Sequence, residues 1–297
     1  MSSTSKPNFT AWFVMQGVLA TLHHPDYRDA SNNELVRLYE PLAKIASKTR
    51  LISRLIDSLP YSFQYRIGQW VTNPSRLRHF LFRKKEIEKQ SRELLAEGGV
   101  TQVVVLGAGL DLLALRLAGE YPGVNFIEID TFESQSFKVA SLQKIPTQLP
   151  ANLEFIEGDL QNPLEGILKP SRLHDPKAKT LWIAEGFFMF VSQEAVQALL
   201  EGIQRISVAG SHLIMTTLVQ ARPSGLIKHS MCDFFMRREQ SPYRWFMGPA
   251  DVGGFVGGFG FGISRQMPYR ALHSQYSTHT VMPEPLEEMI HLLKLSK

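Results

Sequence analysis

The chain has 297 residues, 44% of them hydrophobic, 20% charged and 10% aromatic, which is the make-up of a globular protein and not of a disordered or fibrous one. Thirty-two Lys and Arg against 28 Asp and Glu leave a formal net charge of +4, too mild a bias to call for nucleic acid. Cys232 is the single cysteine, so an internal disulfide is excluded and a reducing, cytoplasmic setting is expected.

The longest stretch without a charged side chain lies between Lys6 and Asp26, but it holds Asn8, Thr10, Gln16, His23, His24 and Pro25. That composition spans a bilayer poorly, so neither a transmembrane helix nor a membrane partner is expected. Its apolar centre, Ala11 to Leu22, imitates a secretory h-region, yet only one Lys precedes it and no clear small-x-small site follows. Asn33 to Thr49 places Leu35, Leu38, Leu42, Ile45 and Ala46 at helical spacing, with Pro41 expected to mark a break or a fresh start. Arg76 to Glu97 reads as a longer helix that ends at Gly98 and Gly99.

From Gln102 the texture changes to short apolar runs alternating with helical periods, the pattern of parallel strands joined by crossover helices. The strands are expected at Gln102 to Leu106, Asn125 to Ile129, Leu153 to Glu157, Thr180 to Ala184 and His212 to Thr217. Leu112 to Glu120, Thr131 to Gln143 and Gln193 to Ser207 have the length of the intervening helices. The fold class is therefore α/β, an open, doubly wound, mostly parallel sheet. Residues 1–98 are expected to form a helical cap on the same domain, and residues 99–297 the α/β core. A charged and aromatic insertion is expected at about 221–247, then a Gly-rich stretch from Gly248 to Gly262. Two weaker strands are expected around Phe261 to Pro268 and Ser277 to Met282.

The sharpest local signal is Val103-Val104-Val105-Leu106-Gly107-Ala108-Gly109-Leu110-Asp111, a buried strand running into a Gly-x-Gly turn that opens a helix. Such a turn lets a ligand approach bare backbone and aims amide groups at it. The dinucleotide fingerprint would place a small residue three positions after Gly109, where this chain has Leu112, which weakens a nicotinamide or flavin reading. Asp130 follows Gly109 by 21 residues, at the end of a strand, where an acid can accept from both ribose hydroxyls. Its alternative is a helix N-cap. Glu128 shares its strand face and reads otherwise as a partly exposed strand residue. Asp159 in Glu157-Gly158-Asp159-Leu160 can accept from an adenine amino group while Leu160 packs on the ring, or it can cap a turn. Glu185 is an acid in an apolar setting, between Leu181-Trp182-Ile183-Ala184 and Phe187-Phe188-Met189-Phe190, and must find a cation, either a ligand ammonium or a protein Arg or Lys.

These residues resemble the leucine carboxyl methyltransferase family, class I O-methyltransferases that use S-adenosylmethionine and include enzymes of polyketide and other secondary metabolism. The resemblance rests on Val-Leu-Gly-Ala-Gly-Leu-Asp at 105–111, Glu-Ile-Asp at 128–130 with Lys138 eight residues on, Gly-Asp-Leu at 158–160 and Ala-Glu-Gly at 184–186, and it covers about residues 76–217. It implies a seven-stranded Rossmann-like sheet in which Gly107, Ala108 and Gly109 face the methionine part of S-adenosylmethionine. Asp130 would hold its ribose, Asp159 and Leu160 would flank its adenine, and Glu185 would meet its ammonium. It also implies an arginine before the first strand for the methionine carboxylate; Arg83 is the candidate, with Arg76 and Arg78 as neighbours. The family turn usually continues Asp-Thr-Arg-Ala, where this chain reads Asp111-Leu112-Leu113-Ala114.

Arg76, Arg78, Arg83, Lys84 and Lys85 put five positive charges into ten residues. Most of them read as a solvated helix face and not as a nucleic-acid site. The expected partner is a small-molecule acceptor with a carboxylate or hydroxyl, of which only the hydroxyl would need a general base. The acceptor wall is expected from Phe234, Phe235, Tyr243, Trp245 and Phe246, with Arg237, Arg238 and Arg244 for an anionic group. His212, His229 and His273 read as structural, the last on a C-terminal strand. No metal set is expected, because one cysteine and the adjacent His23-His24 match no ligand spacing. Two rivals stand beside this reading: an NAD(P)-dependent oxidoreductase, and a non-catalytic protein that kept the sheet and lost the acceptor site.

Overall fold

Five short apolar runs, bounded by turns, become the parallel strands of one sheet. In the computed structural model, which describes residues 7–27, 32–71, 76–219, 243–277 and 288–296, they are β1 (Gln102–Leu106), β2 (Asn125–Asp130), β3 (Leu153–Glu157), β4 (Thr180–Ala184) and β5 (His212–Leu218). Two further strands, β6 (Phe261–Pro268) and β7 (Glu288–Leu295), complete the order β3-β2-β1-β4-β5-β7-β6, with β7 antiparallel to both neighbours. Side chains alternate between two core clusters. Val103, Val105, Leu181 and Ile183 enter one, and Val104, Leu106, Trp182 and Ala184 the other, because successive strand residues point to opposite faces.

The first cluster is roofed by α1 (Phe9–Leu22), α2 (Asn33–Ser47), α3 (Leu51–Asp57), α4 (Tyr61–Val71) and α5 (Arg76–Ala96). The uncharged stretch near the start is α1, nine of whose 14 residues are buried, including Trp12, Met15 and Leu19. Helix α2 runs straight through Pro41, contrary to the expected break. Buried Leu38, Tyr39, Leu42 and Ala43 hold the helix together across the lost backbone bond. Crossover helices α6 (Leu113–Glu120), α7 (Phe132–Leu142), α8 (Leu164–Leu168) and α9 (Gln193–Ile206) follow in turn.

Three readings of the last third need correction. The Gly-rich stretch forms a helix, α10 (Pro249–Gly257), with Pro249 at its first position, where a missing N–H costs nothing. His273 belongs to helix α11 (Tyr269–Tyr276) and not to a strand. The final strand is β7, whereas the expected Ser277 to Met282 begins at the cap of α11 and its residues 278–282 lie outside the described residues. Because β7 is buried on both faces, its sequence Glu-Met-Ile-His-Leu-Leu-Lys-Leu lacks the alternation that marks a half-exposed strand.

Strand β7 carries two checkable expectations. Leu293 is fully buried between β5 and β6, so Leu293→Ala is expected to cost about 3 kcal/mol in urea unfolding. His291 is buried, with Thr217 Oγ1 at 2.8 Å and Gln266 Nε2 at 3.2 Å, and burial holds its imidazole down from 6.5 to about 4. The unfolded chain takes up a proton near pH 6.5 while the folded protein does not. The stability from neutral His291 is therefore complete above that pH and is lost on acidification to about pH 4, by on the order of 3 kcal/mol. His291→Asn should flatten this part of the pH dependence of the urea midpoint; an unchanged slope would refute the assignment.

Candidate functional site

Strand order reverses between β1 and β4, and at such a switch point the loops leaving the carboxyl ends splay apart and leave a crevice. The cavity found there has a volume of about 280 Å³. The loops after β1, β2 and β4 line it with Gly107, Ala108, Gly109, Asp111, Asp130, Glu185 and Gly186, and α5 contributes Arg76, Arg83 and Lys84. Helix α1 closes it from above with Ala11, Phe13, Val14 and Met15.

Gly107 has φ +65° and is packed so closely that a Cβ would lie 2.5 Å from the Phe187 ring; Gly109 has φ +52°, and its Cβ would meet Ala11 Cβ at 3.1 Å. Only glycine meets both the conformation and the space. Asp130 fastens this turn: Gly109 N donates to its Oδ2 at 2.6 Å, and Thr131 N to its Oδ1 at 2.7 Å. Each carboxylate oxygen keeps a second lone pair, so Asp130 can still accept from a ligand. Glu128 is fully buried, so the alternative of a partly exposed strand residue does not hold. It pairs at 2.5 Å with Lys138 Nζ, which also donates to the carbonyl oxygen of Asp111. Burial raises the Glu128 pKa, with Lys138 opposing the shift.

Behind the turn runs a continuous chain of charges. His79 Nε2 meets Glu288 Oε2 at 2.6 Å, and Glu288 Oε1 accepts from Arg83 Nη1 at 2.7 Å. Arg83 Nε donates to Glu185 Oε1 at 3.0 Å, and Lys84 Nζ reaches the same oxygen at 3.2 Å. Lys84 also pairs with Asp111 Oδ2 at 2.9 Å, and Asp111 Oδ1 accepts from the Tyr39 hydroxyl at 2.8 Å and from the amides of Leu112 and Leu113 at the start of α6. Burial works against the charges on Arg83 and Lys84, but Glu288 and Glu185 on one and Asp111 and Glu185 on the other hold both pKa values above their ordinary range. Burial would likewise raise the carboxyls, yet Lys84 holds Asp111 well below the usual carboxylate range, and Arg83 with His79 does the same for Glu288. Tyr39 is pushed up by burial and by Asp111.

One oxygen of this chain is unmet. Glu185 Oε2 is buried and has no hydrogen-bond partner among the described residues. Glu185 therefore pairs with protein cations through Oε1 while its other oxygen keeps an acceptor unfilled.

Of the sequence candidates, Arg83, Gly107, Ala108, Gly109, Asp130 and Glu185 share the cavity wall. Asp159 and Leu160 do not line it. Asp159 is exposed and its Oδ1 accepts from Gln161 N at 2.9 Å, as a turn-capping acid does, and Leu160 is buried in the second core cluster. The basic cluster on α5 is not a solvated face: Arg78 and Arg83 are buried and Lys84 is ion-paired. From the expected aromatic wall, Tyr243 lines the cavity, stacks on Phe190 and accepts from Arg76 Nη1 at 2.8 Å. Trp245 packs into the second core cluster, Phe246 and Arg244 are exposed, and His229, Phe234, Phe235, Arg237 and Arg238 lie outside the described residues. Sequence reasoning missed Tyr39, Lys84, Asp111, His79 and Glu288. Lys84 and Asp111 stood inside quoted motifs, but nothing local marked Glu288, which joins Arg83 across 205 residues.

The sequence model of the family described as leucine carboxyl methyltransferase matches residues 33–204. A relative from Frankia alni, described as a proposed S-adenosyl-L-methionine-dependent methyltransferase, is 38% identical over 119 residues, which are 40% of this chain and 41% of the relative. The chain thus matches about two fifths of the length of such curated relatives. Among solved structures, a proposed methyltransferase from Thermobifida fusca superimposes with a TM-score of 0.61 at 17% identity, covering 99% of this chain and 97% of that one. A protein of the DUF574 family from Streptomyces avermitilis gives 0.63 at 12% identity, covering 98% of each chain. At these identities the likeness is one of fold.

Removing Glu288 would leave Arg83 half-paired and His79 without its partner, both buried. Glu288→Ala is therefore expected to destabilise the protein by about 3 kcal/mol in urea unfolding, and a loss below about 1 kcal/mol would show that the pairing is dispensable.

Proposed function

The chain belongs to the leucine carboxyl methyltransferase family, and from that premise we propose that it transfers a methyl group from S-adenosylmethionine to an oxygen of a small acceptor, a carboxylate before a hydroxyl. The observation that carries the reading is Glu185 Oε2, a buried acceptor without a donor among the described residues, in one cavity with the glycine turn and Asp130. A buried carboxylate oxygen left unmet costs free energy, and a ligand ammonium would remove that cost.

The residues present fit this cofactor. The turn keeps backbone bare at Gly107 and Gly109, Asp130 is fixed by two amides with lone pairs to spare, and Arg83 stands in the cavity wall where its guanidinium can meet a carboxylate. Asp159 and Leu160 remain candidates for the adenine end, beyond the cavity wall. Leu112, fully buried, stands where a dinucleotide site needs a small residue, which favours the methyl donor over NAD(P). When bound, S-adenosylmethionine supplies an activated methyl group on a positively charged sulfur.

The chain's own work is to hold donor and acceptor in line and keep water out. Phe13, Phe80, Phe187, Met189 and Phe190 give the cavity apolar walls that exclude water, and Arg76 sets a positive charge among them. Lys84 cannot serve as a base, because Asp111 and Glu185 keep it protonated. A carboxylate, with a pKa of about 4, arrives already ionised and needs no base, and Arg76 can steer it; this supports a carboxylate acceptor.

Calorimetric titration with S-adenosylmethionine and S-adenosylhomocysteine, with NAD and NADP as controls, tests the reading. Binding of the sulfur pair is expected, weakened at least about tenfold by Asp130→Ala or Glu185→Gln in protein whose circular dichroism is unchanged. Binding of a nicotinamide cofactor alone, or of none of the four, would overturn it. With binding in hand, label from a methyl-labelled donor should enter carboxylic acids as base-labile esters.

A further inference from the structure

Helices α3 and α4 present large apolar side chains to solvent. Leu51 is 74% exposed, Ile52 44%, Leu55 61%, Phe63 51% and Trp70 68%, and these make up five of the nine large exposed apolar side chains among the described residues. On α4, Gln64, Tyr65 and Gly68 are buried while Phe63, Arg66 and Trp70, three and four residues apart, stand on the outer face. On α3, Leu51 and Leu55 share the outer side and Ser53 is buried. Scattered exposed leucines are ordinary, whereas this concentration on two consecutive short helices marks an interaction surface.

The charge of the chain is concentrated in the same place. Residues 41–71 hold Lys44, Lys48, Arg50, Arg54 and Arg66 against Asp57 alone, a net +4 that equals the formal charge of the whole chain; the other residues hold 27 basic and 27 acidic side chains. Asp57, the one acid in this stretch, accepts from Ser47 Oγ at 3.1 Å and leaves the net charge of the stretch at +4. Lys44, Lys48, Arg54 and Arg66 are exposed and form no ion pair among the described residues. Leu, Phe and Trp beside unpaired Lys and Arg are what a segment lying in the headgroup region of an anionic bilayer requires.

We propose that the α3–α4 segment docks on an anionic lipid surface, with Leu51, Leu55, Phe63 and Trp70 entering the acyl boundary and Lys44, Lys48, Arg54 and Arg66 meeting the headgroups. This departs from the sequence expectation of no membrane partner, which rested on the lack of a spanning helix. No helix among the described residues is long and apolar enough to cross a membrane, and a segment that lies on the surface needs none. The cavity is one helix away: Gln64 of α4 bonds Gln16 of α1 at 2.6 Å, and α1 lines the cavity.

The test is sedimentation of the full chain with vesicles of phosphatidylcholine alone and of phosphatidylcholine with phosphatidylglycerol, at low and high salt. Binding to the anionic vesicles is expected at least about tenfold above the neutral ones and weaker at high salt. The apolar double variant Leu55→Ser with Trp70→Ser and the charge variant Lys48→Glu with Arg54→Glu should each lower it about tenfold while keeping the thermal midpoint. A blue shift of tryptophan emission on anionic vesicles should shrink in Trp70→Phe. No readout here depends on what the cavity binds. Equal binding to both vesicles, binding to neither, variants that bind like wild type, salt-sensitive capture by polyglutamate without vesicle binding, or a dimer that the apolar variant dissolves in its place would each overturn the proposal.

Discussion

A guanidinium buried in a protein has to be surrounded by acceptors, and Arg83 draws its acceptors from two distant parts of the chain, 102 and 205 residues further on. Glu185 leaves the carboxyl end of β4 and Glu288 opens the antiparallel β7, with β5 between them, so α5 can seat Arg83 only over the edge of the sheet where both strand ends lie. Taking such charges out of water costs several kcal/mol apiece, and the cost is recovered only when geometry and partner count are both right. The position of α5 over the sheet, the antiparallel insertion of β7 and the acidic lip of the crevice are therefore one constraint. Lys84 and Asp111 extend it to the glycine turn, and Tyr39 extends it to α2.

That constraint makes the cavity electrically asymmetric. Along its floor, Arg83 and Lys84 are each shared between two carboxylates, and of the carboxylates they meet only Glu185 keeps a buried oxygen without a partner among the described residues. The exception, Glu185 Oε2, is held in place by the same cations that neutralise Oε1, which is how a scaffold keeps an unsatisfied acceptor without letting it relax. The apolar walls come from Phe80, from Phe187, Met189 and Phe190 after β4, and from α1, whose hydrophobic run serves both as core and as roof. The roof thus comes from a different part of the chain than the glycine turn, and the two meet because α1 crosses above Gly109.

The N-terminal helices are two-sided. Their inner faces complete the first core cluster, and their outer faces carry the uncompensated positive charge and the exposed aromatic and aliphatic side chains. Core packing has no need of either outer feature, and the proposed docking on a lipid surface rests on that.

Strands β1 to β5 were legible in the sequence to within a residue, because each is a short run bounded by turn chemistry and all but the edge strand β3 are buried on both faces. Gly107 and Gly109 were legible because few other residues tolerate positive φ at a close approach, and Asp130 because chain geometry brings the end of β2 beside that turn. Glu288, His79 and Tyr39 were not, since their roles depend on partners 72 to 209 residues away. Asp159 had two readings, and the turn shows the capping one through Oδ1 without deciding the other. Local sterics and hydrophobic period are properties of neighbouring residues and can be read from them. The pairing of buried charges is a property of distant residues, and only the closed tertiary structure, in which each charge must find its partner or remain in water, decided it.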